Sequence, residues 1–219
     1  MSGLLLALVA GYVVGTFPSA DIAARLATRG TVDIRTAGTG NPGGANAIAV
    51  LGKAWGVAVI TADVLKAVLA AVIGAAVAGG DGAHLASVAS VAGHCFPVWT
   101  RFKGGKGVAA SGGQCLATFP AYFPFDLLVA FLAVLPKWRS KTFGAVVVSS
   151  VIWTSAAMVW WLADLPNAWG PESSPALPLA AVATSSMLLY RFAVSPRGVS
   201  PRGVSPKPPD RWTPDPMDA

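Results

Sequence analysis

Three stretches of this 219-residue sequence carry residue types that an apolar bundle does not need. The most charged is Gly93-His-Cys-Phe-Pro-Val-Trp-Thr-Arg-Phe-Lys-Gly-Gly-Lys-Gly-Val-Ala109, where Arg101, Lys103 and Lys106 crowd around Gly104, Gly105 and Gly107. An apolar run opens at Val108. Glycine lets a backbone approach a ligand closely, and the first amides of a helix have no intrahelical partner. Cations beside such a start make a ready anion site. A nucleotide P-loop is excluded, because Gly107 occupies the Ser/Thr position that would bind magnesium. A loop that only fixes membrane orientation needs the lysines but not the glycines. His94 lies beside it, where a neutral imidazole can donate to phosphate or orient a hydroxyl. The plainer alternative is a polar tip reaching for the interface.

The second stretch is Asp33-Ile-Arg-Thr-Ala-Gly-Thr-Gly-Asn-Pro-Gly-Gly-Ala-Asn46. Gly40 and Gly43 permit a tight backbone with exposed amides, while Thr39, Asn41 and Asn46 add hydrogen-bonding side chains and Arg35 adds charge. An ordinary turn between two helices would also use such residues. The third is Asp63 with Lys66, three residues apart and therefore on one helical face. Ionisable groups at membrane depth cost about 2.5–3.5 kcal/mol each on insertion scales and persist when paired or facing a polar cavity. They read either as a structural pair between helices or as substrate contacts. His84 has no companions and reads as structural. The sequence has no Gly-x-Ser-x-Gly elbow, no His-Glu-x-x-His zinc helix and no histidine followed by Asp five positions on. Any chemistry must come from positioning and electrostatics, and no metal or cofactor is called for.

The elements that position these residues are membrane helices. The chain is 54% hydrophobic and 12% charged, outside the soluble range. Its apolar residues come in long runs over 4–20, 54–78 (interrupted only by Asp63 and Lys66), 83–100, 143–163 and 176–190. A crossing needs roughly 20 residues. The segment 108–135 is divided by Pro120 and Pro124 into two short pieces, predicted as 108–119 and 125–135, that either cross or form a re-entrant hairpin. Lys and Arg cluster at 25–53, 101–106, 137–141 and 191–211, whereas 79–82, 120–124 and 164–174 contain none. Placing every basic loop in the cytoplasm requires 108–135 to leave and return. The expectation is an all-α, polytopic integral membrane protein with seven transmembrane helices, N-terminus outside and C-terminus inside.

The net charge of +6 points to anionic headgroups rather than nucleic acid, since the basic residues sit at membrane edges and not on one aqueous face. Cys95 and Cys115 suggest neither a disulfide framework nor a metal site. The N-terminus lacks the positive region of a signal peptide. Two parts are expected: a membrane domain over 1–192 and a tail over 193–219. In the tail Val194-Ser-Pro-Arg-Gly repeats as Val199-Ser-Pro-Arg-Gly and begins again at Val204-Ser-Pro-Lys. Such a Pro-rich basic repeat buries no core.

The basic stretch, read as Gly-His-x-Phe-Pro-x-x-x-x-Phe-Lys-Gly-Gly-Lys-Gly-Val-Ala, resembles the most recognisable motif of the bacterial acyl-phosphate:glycerol-3-phosphate acyltransferases, the PlsY family. Residues 33–46 with Leu51-Gly-Lys53, Asp63-Val-Leu-Lys66 and Gly15-Thr-Phe-Pro-Ser19 are similar to further motifs of that family, in order. The resemblance is specific from about residue 11 to 110 and beyond that is one of helix pattern. It implies seven transmembrane helices in the bacterial cell membrane and a cytoplasmic-side active site. The implied reaction is acyl transfer from acyl phosphate to glycerol 3-phosphate, giving lysophosphatidic acid for phospholipid synthesis. By the same resemblance Thr39, His94 and Lys106 are catalytic. Gly40, Asn41, Gly43, Asn46, Lys103, Gly104, Gly105 and Gly107 bind substrate phosphate, with Arg35, Asp63, Lys66 and Thr142 in support.

Several positions depart from the family pattern. Thr39 stands for Ser. Ala49 stands for an Arg, removing a bidentate phosphate contact. Thr142-Phe-Gly-Ala145 has one hydroxyl fewer than its Ser-Leu-Gly-Ser counterpart, and Arg191-Phe-Ala-Val-Ser-Pro-Arg197 lacks the His and Asn of the C-terminal motif. These losses set a second reading beside the first: a descendant that binds phosphorylated substrate or lipid without turnover. A transporter ranks last, because only the Asp63–Lys66 pair and the proline-split hairpin hint at one.

Overall fold

The structure is a computed structural model and describes residues 2–134 and 142–195. The described residues are helical, in the order α1 (Ser2–Gly15), α2 (Ser19–Thr28), α3 (Gly44–Leu51), α4 (Lys53–Cys95), a 3₁₀ turn (Val98–Thr100), α5 (Val108–Thr118), α6 (Phe123–Val134), α7 (Thr142–Leu162) and α8 (Ala176–Val194). α4 is two arms. Ala78 (φ −150°, ψ 23°) and Gly79 (φ 65°, ψ −154°) reverse the chain. A left-handed φ of that kind costs glycine little and other residues much. The seven expected apolar segments are α1, the two arms of α4, α5, α6, α7 and α8.

Along the first arm of α4 the outer face is apolar and the inner face carries an ionic pair, the reverse of a water-soluble fold. On the first arm of α4, Leu65 (58%), Leu69 (51%) and Val72 (60%) are exposed, while Asp63 (1%) and Lys66 (6%) are buried. Close packing in lipid depends on small residues that let backbones meet. A Cβ on Gly11 would strike Ala86, one on Gly15 would strike Ser90, and one on Gly93 would strike the Tyr12 carbonyl, so α1 lies directly against the second arm of α4. Gly113 of α5 meets Val64 of the first arm in the same way.

Two expectations change. The run 4–20 is not one helix: α1 stops at Gly15, and Thr16-Phe-Pro18 turns the chain into α2, because Pro18 has no amide to continue the ladder. α2 and α3 were not foreseen. They pack small faces together through Ala20, Ala23, Ala24, Ile34, Ala47 and Val59 at the end of the bundle where loops 29–43 and 96–107 lie. α5 and α6 are short, 11 and 12 residues. Even so, α5 leads from Gly107 to the opposite end of the bundle. There its Leu116 carbonyl accepts from Trp169 Nε1 (3.0 Å) and its Thr118 carbonyl from Asn167 Nδ2 (3.0 Å). Cys95 and Cys115 are free, buried and in separate clusters. Most of the tail expected over 193–219 lies outside the described residues.

Candidate active site

The site grows from a buried ionic cluster at the junction of α1, α2 and both arms of α4. Asp63 Oδ1 accepts from Ser19 Oγ (2.5 Å) and pairs with Lys66 Nζ (2.8 Å). Lys66 Nζ also reaches the Phe17 carbonyl (3.3 Å) and His94 Nδ1 (2.8 Å), and His94 Nδ1 lies 3.4 Å from the same Asp63 oxygen. An ammonium only donates, so Nδ1 accepts from Lys66 and the imidazole proton is assigned to Nε2. The Asp63–Lys66 pair, open in sequence between a structural bridge and a substrate contact, thus fixes the tautomer and orientation of His94. Ser19 was missed. Its signal was present in the Gly-Thr-Phe-Pro-Ser turn, but its partner is 44 residues away.

The glycine loop folds back over this cluster. Gly104 N donates to the Cys95 carbonyl (3.1 Å) and Gly105 N to the His94 carbonyl (3.0 Å). A Cβ on Gly105 would strike the His94 ring at Nε2, and one on Gly104 would strike the His94 carbonyl. These two glycines permit close approach to His94. Their amides are not bare for phosphate, which corrects the expected role. Gly107 (φ +88°) turns the chain into α5, and a Cβ there would meet Cys95, Leu188 and Val91. The first-turn amides of α5 from Val108 to Ala110 are the ones left without intrahelical partners. Arg101 (φ 52°) and Phe102 (φ 62°) hold left-handed backbones in the same loop, a strain of about 1–3 kcal/mol each that surrounding structure must hold.

Loop 29–43 docks on the glycine loop through Arg35. Its Nε and Nη2 grip Asp21 Oδ1 (2.6 Å) and Oδ2 (2.8 Å), and its Nη1 donates to the Lys103 carbonyl (2.5 Å). Asp21 was not singled out in the sequence, since only the fold brings it opposite Arg35. Asn46 is 3% exposed, and its amide is committed to the loop. Oδ1 accepts from Thr39 N (2.8 Å), and Nδ2 donates to the Ile34 (3.1 Å) and Ala37 (3.0 Å) carbonyls. Both N–H groups of the Asn46 amide are thus committed to the loop, and Oδ1 keeps one lone pair beyond the Thr39 contact. Thr39 is exposed, and its Oγ1 accepts from Asn41 N (3.4 Å). Gly40 (φ +69°) runs close to the Arg35 carbonyl and Gly43 caps α3. Thr142 opens α7, and its side chain lies outside the described residues. Ala49 is exposed on α3.

Between these walls lies a pocket of about 240 Å³, lined by Ser19, Asp21, Arg35, Pro42, Lys66, His94, Gly104 and Gly105 among others. Lys103 and Lys106 are on the loop that roofs it. The Lys103 side chain is exposed. Lys106 is half-buried, and that burial together with the Arg191 guanidinium pulls its ammonium below the usual lysine range. Arg191 straps the loop from α8, with Nε on the Gly105 carbonyl (3.0 Å) and Nη2 on the Gly104 carbonyl (2.5 Å). Asp21→Ala is expected to cost less than about 1 kcal/mol, as the Arg35–Asp21 pair is partly exposed. Cleavage by trypsin after Arg35 should nonetheless accelerate, because the Arg35 side chain then keeps only the Lys103 carbonyl as a partner; an unchanged cleavage rate would remove Asp21 from this role.

An all-helical, lipid-facing bundle with cations and a buried Asp–Lys–His cluster at one end defines an integral membrane protein with a polar site at the bilayer boundary. The chain belongs to the glycerol-3-phosphate acyltransferase family, whose model matches residues 5–197. It is 38% identical over 163 residues to the glycerol-3-phosphate acyltransferase of Bradyrhizobium diazoefficiens, covering 74% of this chain and 79% of that one. It is 43% identical over 129 residues to that of Bacillus velezensis, covering 59% and 66%. Among solved structures it resembles PlsY, described as an integral membrane glycerol 3-phosphate acyltransferase. With the glycerol 3-phosphate form the TM-score is 0.66 at 29% identity, over 87% of this chain and 88% of that one. With the lysophosphatidic acid form it is 0.64 at 26% identity, over 86% and 87%.

Proposed function

We propose that this protein transfers a fatty acyl group from acyl phosphate to glycerol 3-phosphate at the cytoplasmic face of the bacterial cell membrane, giving lysophosphatidic acid. The carrying observation is the small pocket floored by His94 and Lys66 and roofed by the cationic glycine loop, in a family whose named members act on glycerol 3-phosphate. In the reaction the glycerol hydroxyl oxygen attacks the acyl carbon, the acyl–phosphate C–O bond breaks, and the leaving phosphate takes the hydroxyl proton. Acyl phosphate is already activated, so the protein needs no nucleophile of its own. Its task is to hold two phosphates close together and stabilise their charge. His94 Nε2–H is the donor aimed at the pocket, Lys106 and the α5 N-terminus neutralise phosphate, and Lys103 attracts it. Thr39, Gly40, Asn41 and Gly43 present loop 29–43 to the polyol. The acyl chain lies in membrane lipid.

Orientation follows from charge. Among the described residues Arg25, Arg29, Arg35, Lys53, Arg101, Lys103, Lys106 and Arg191 lie at the site end, and none lies in the connections at the other. The positive-inside rule puts the site in the cytoplasm and the N-terminus outside.

Purified protein in detergent, given palmitoyl phosphate and glycerol 3-phosphate, is expected to release inorganic phosphate only when both are present. Lys106→Ala should lower kcat/KM by about 10²–10³-fold. Because the Lys106 ammonium titrates below the usual lysine range, activity should fall on the alkaline side sooner than an exposed lysine would allow. Binding of glycerol 3-phosphate without phosphate release would replace this proposal with a non-catalytic descendant, and absence of both would end it.

A further inference from the structure

Lys106 is in an awkward place for a cation. Its side chain is half-buried with the Arg191 guanidinium close enough to perturb it. Among the described residues no carboxylate lies within ion-pair distance of it. What it does have is an aromatic face: Nζ stands 4.6 Å from the centroid of the Phe192 ring. That is inside the distance at which the ring quadrupole attracts a cation. The neighbouring residue of the same helix turn, Arg191, holds the Gly104 and Gly105 carbonyls and lies 5.6 Å over the Phe96 ring. Two consecutive residues of α8 therefore grip one loop from 86 positions away, one by its backbone and the other by its charge.

We propose that the last turn of α8 is a clamp on the glycine loop in which Phe192 is a positioning residue, seating the Lys106 ammonium on its ring face. Phe192 falls where the resembling C-terminal motif has histidine, and the substitution has a physical consequence. An imidazole there can protonate and repel Lys106, whereas a benzene ring cannot and presents a permanently negative face. The seat holds the ammonium in one place with no counter-ion to strip away when a phosphate arrives. Only this last consequence rests on the acyltransfer reading.

The full chain in detergent, labelled with an N-hydroxysuccinimide ester of acetic acid and read by peptide mass spectrometry, tests the seat directly. Exposed Lys103 is the internal reference. Lys106 is expected to react about tenfold more slowly than Lys103, because half-burial against the Phe192 ring shields its nitrogen by more than its lowered pKa exposes it as free amine. Phe192→Leu, which keeps apolar bulk but has no ring, should close most of that gap, and Phe192→Tyr should preserve it. Equal labelling of the two lysines in the unsubstituted protein overturns the seat, and so does a Leu variant that stays protected, since burial alone would then explain it. With palmitoyl phosphate and glycerol 3-phosphate, Phe192→Leu should lose about tenfold in kcat/KM, mainly through KM, and Phe192→Tyr should stay within about twofold. An equal fall in kcat would overturn the positioning role. A protein with protected Lys106 but no turnover would sink the acyltransfer reading and leave the clamp standing.

Discussion

Asp63→Ala is expected to lower the stability of the detergent-solubilised protein by about 3–5 kcal/mol, the usual cost of stranding one member of a buried ion pair. Asp63 is 1% exposed, and Lys66, 6% exposed, would keep only the Phe17 carbonyl and His94 Nδ1 as partners. Ser19 Oγ would lose its acceptor as well. The companion variant separates charge from packing. Asp63→Leu with Lys66→Met removes both charges together, and such replacements by apolar side chains are often neutral or stabilising. The double variant should therefore recover most of the lost stability while leaving His94 without the donor that fixes its tautomer. Denaturant titration followed by tryptophan fluorescence measures the first quantity, and phosphate release from palmitoyl phosphate the second. A single-variant cost below about 1 kcal/mol would show that the cluster is hydrated and not sealed as described.

Gly105→Ala is expected to reduce activity by about 10²-fold with a much smaller effect on folding, the scale seen when reacting groups are displaced by about 1 Å. The added Cβ would run into the His94 imidazole at Nε2, and that ring cannot swing aside because Lys66 and Asp63 hold its other nitrogen. The loop must move instead, taking the Lys106 backbone and the start of α5 with it. Gly104→Ala meets backbone, the His94 carbonyl and the Cys95 carbonyl carbon, which gives even less. Gly144→Ala is the control: among the described residues a Cβ there finds nothing within 4 Å, so activity should be unchanged. If Gly105→Ala retains full activity, the loop does not bear on His94 during turnover.

The membrane class and the helix count were legible because they are sums over local sequence. Transfer of each apolar segment into hydrocarbon depends on its own composition, and the loop charges act through their number on each side. Residue types at the site were legible for a related reason. Glycine before Val108, histidine beside it and an Asp–Lys spacing of three each carry a restricted set of physical uses.

Partner assignment could not be read that way. Gly104 and Gly105 look like phosphate-binding glycines until the fold spends their amides on residues 94 and 95. Asn46 looks like a phosphate donor until both its amide N–H groups prove committed to the Ile34 and Ala37 carbonyls. Arg35 is claimed by Asp21 and by the Lys103 carbonyl 68 residues on, and Phe192, in the altered C-terminal motif, meets the Lys106 ammonium with its ring face. Composition and spacing thus determined that this chain enters a bilayer and carries cations, glycines and one histidine to a single edge of it. Tertiary structure alone decided which of those groups remain available, because a hydrogen-bonding group has few partners to give and the fold, by joining distant helix ends, allots them first.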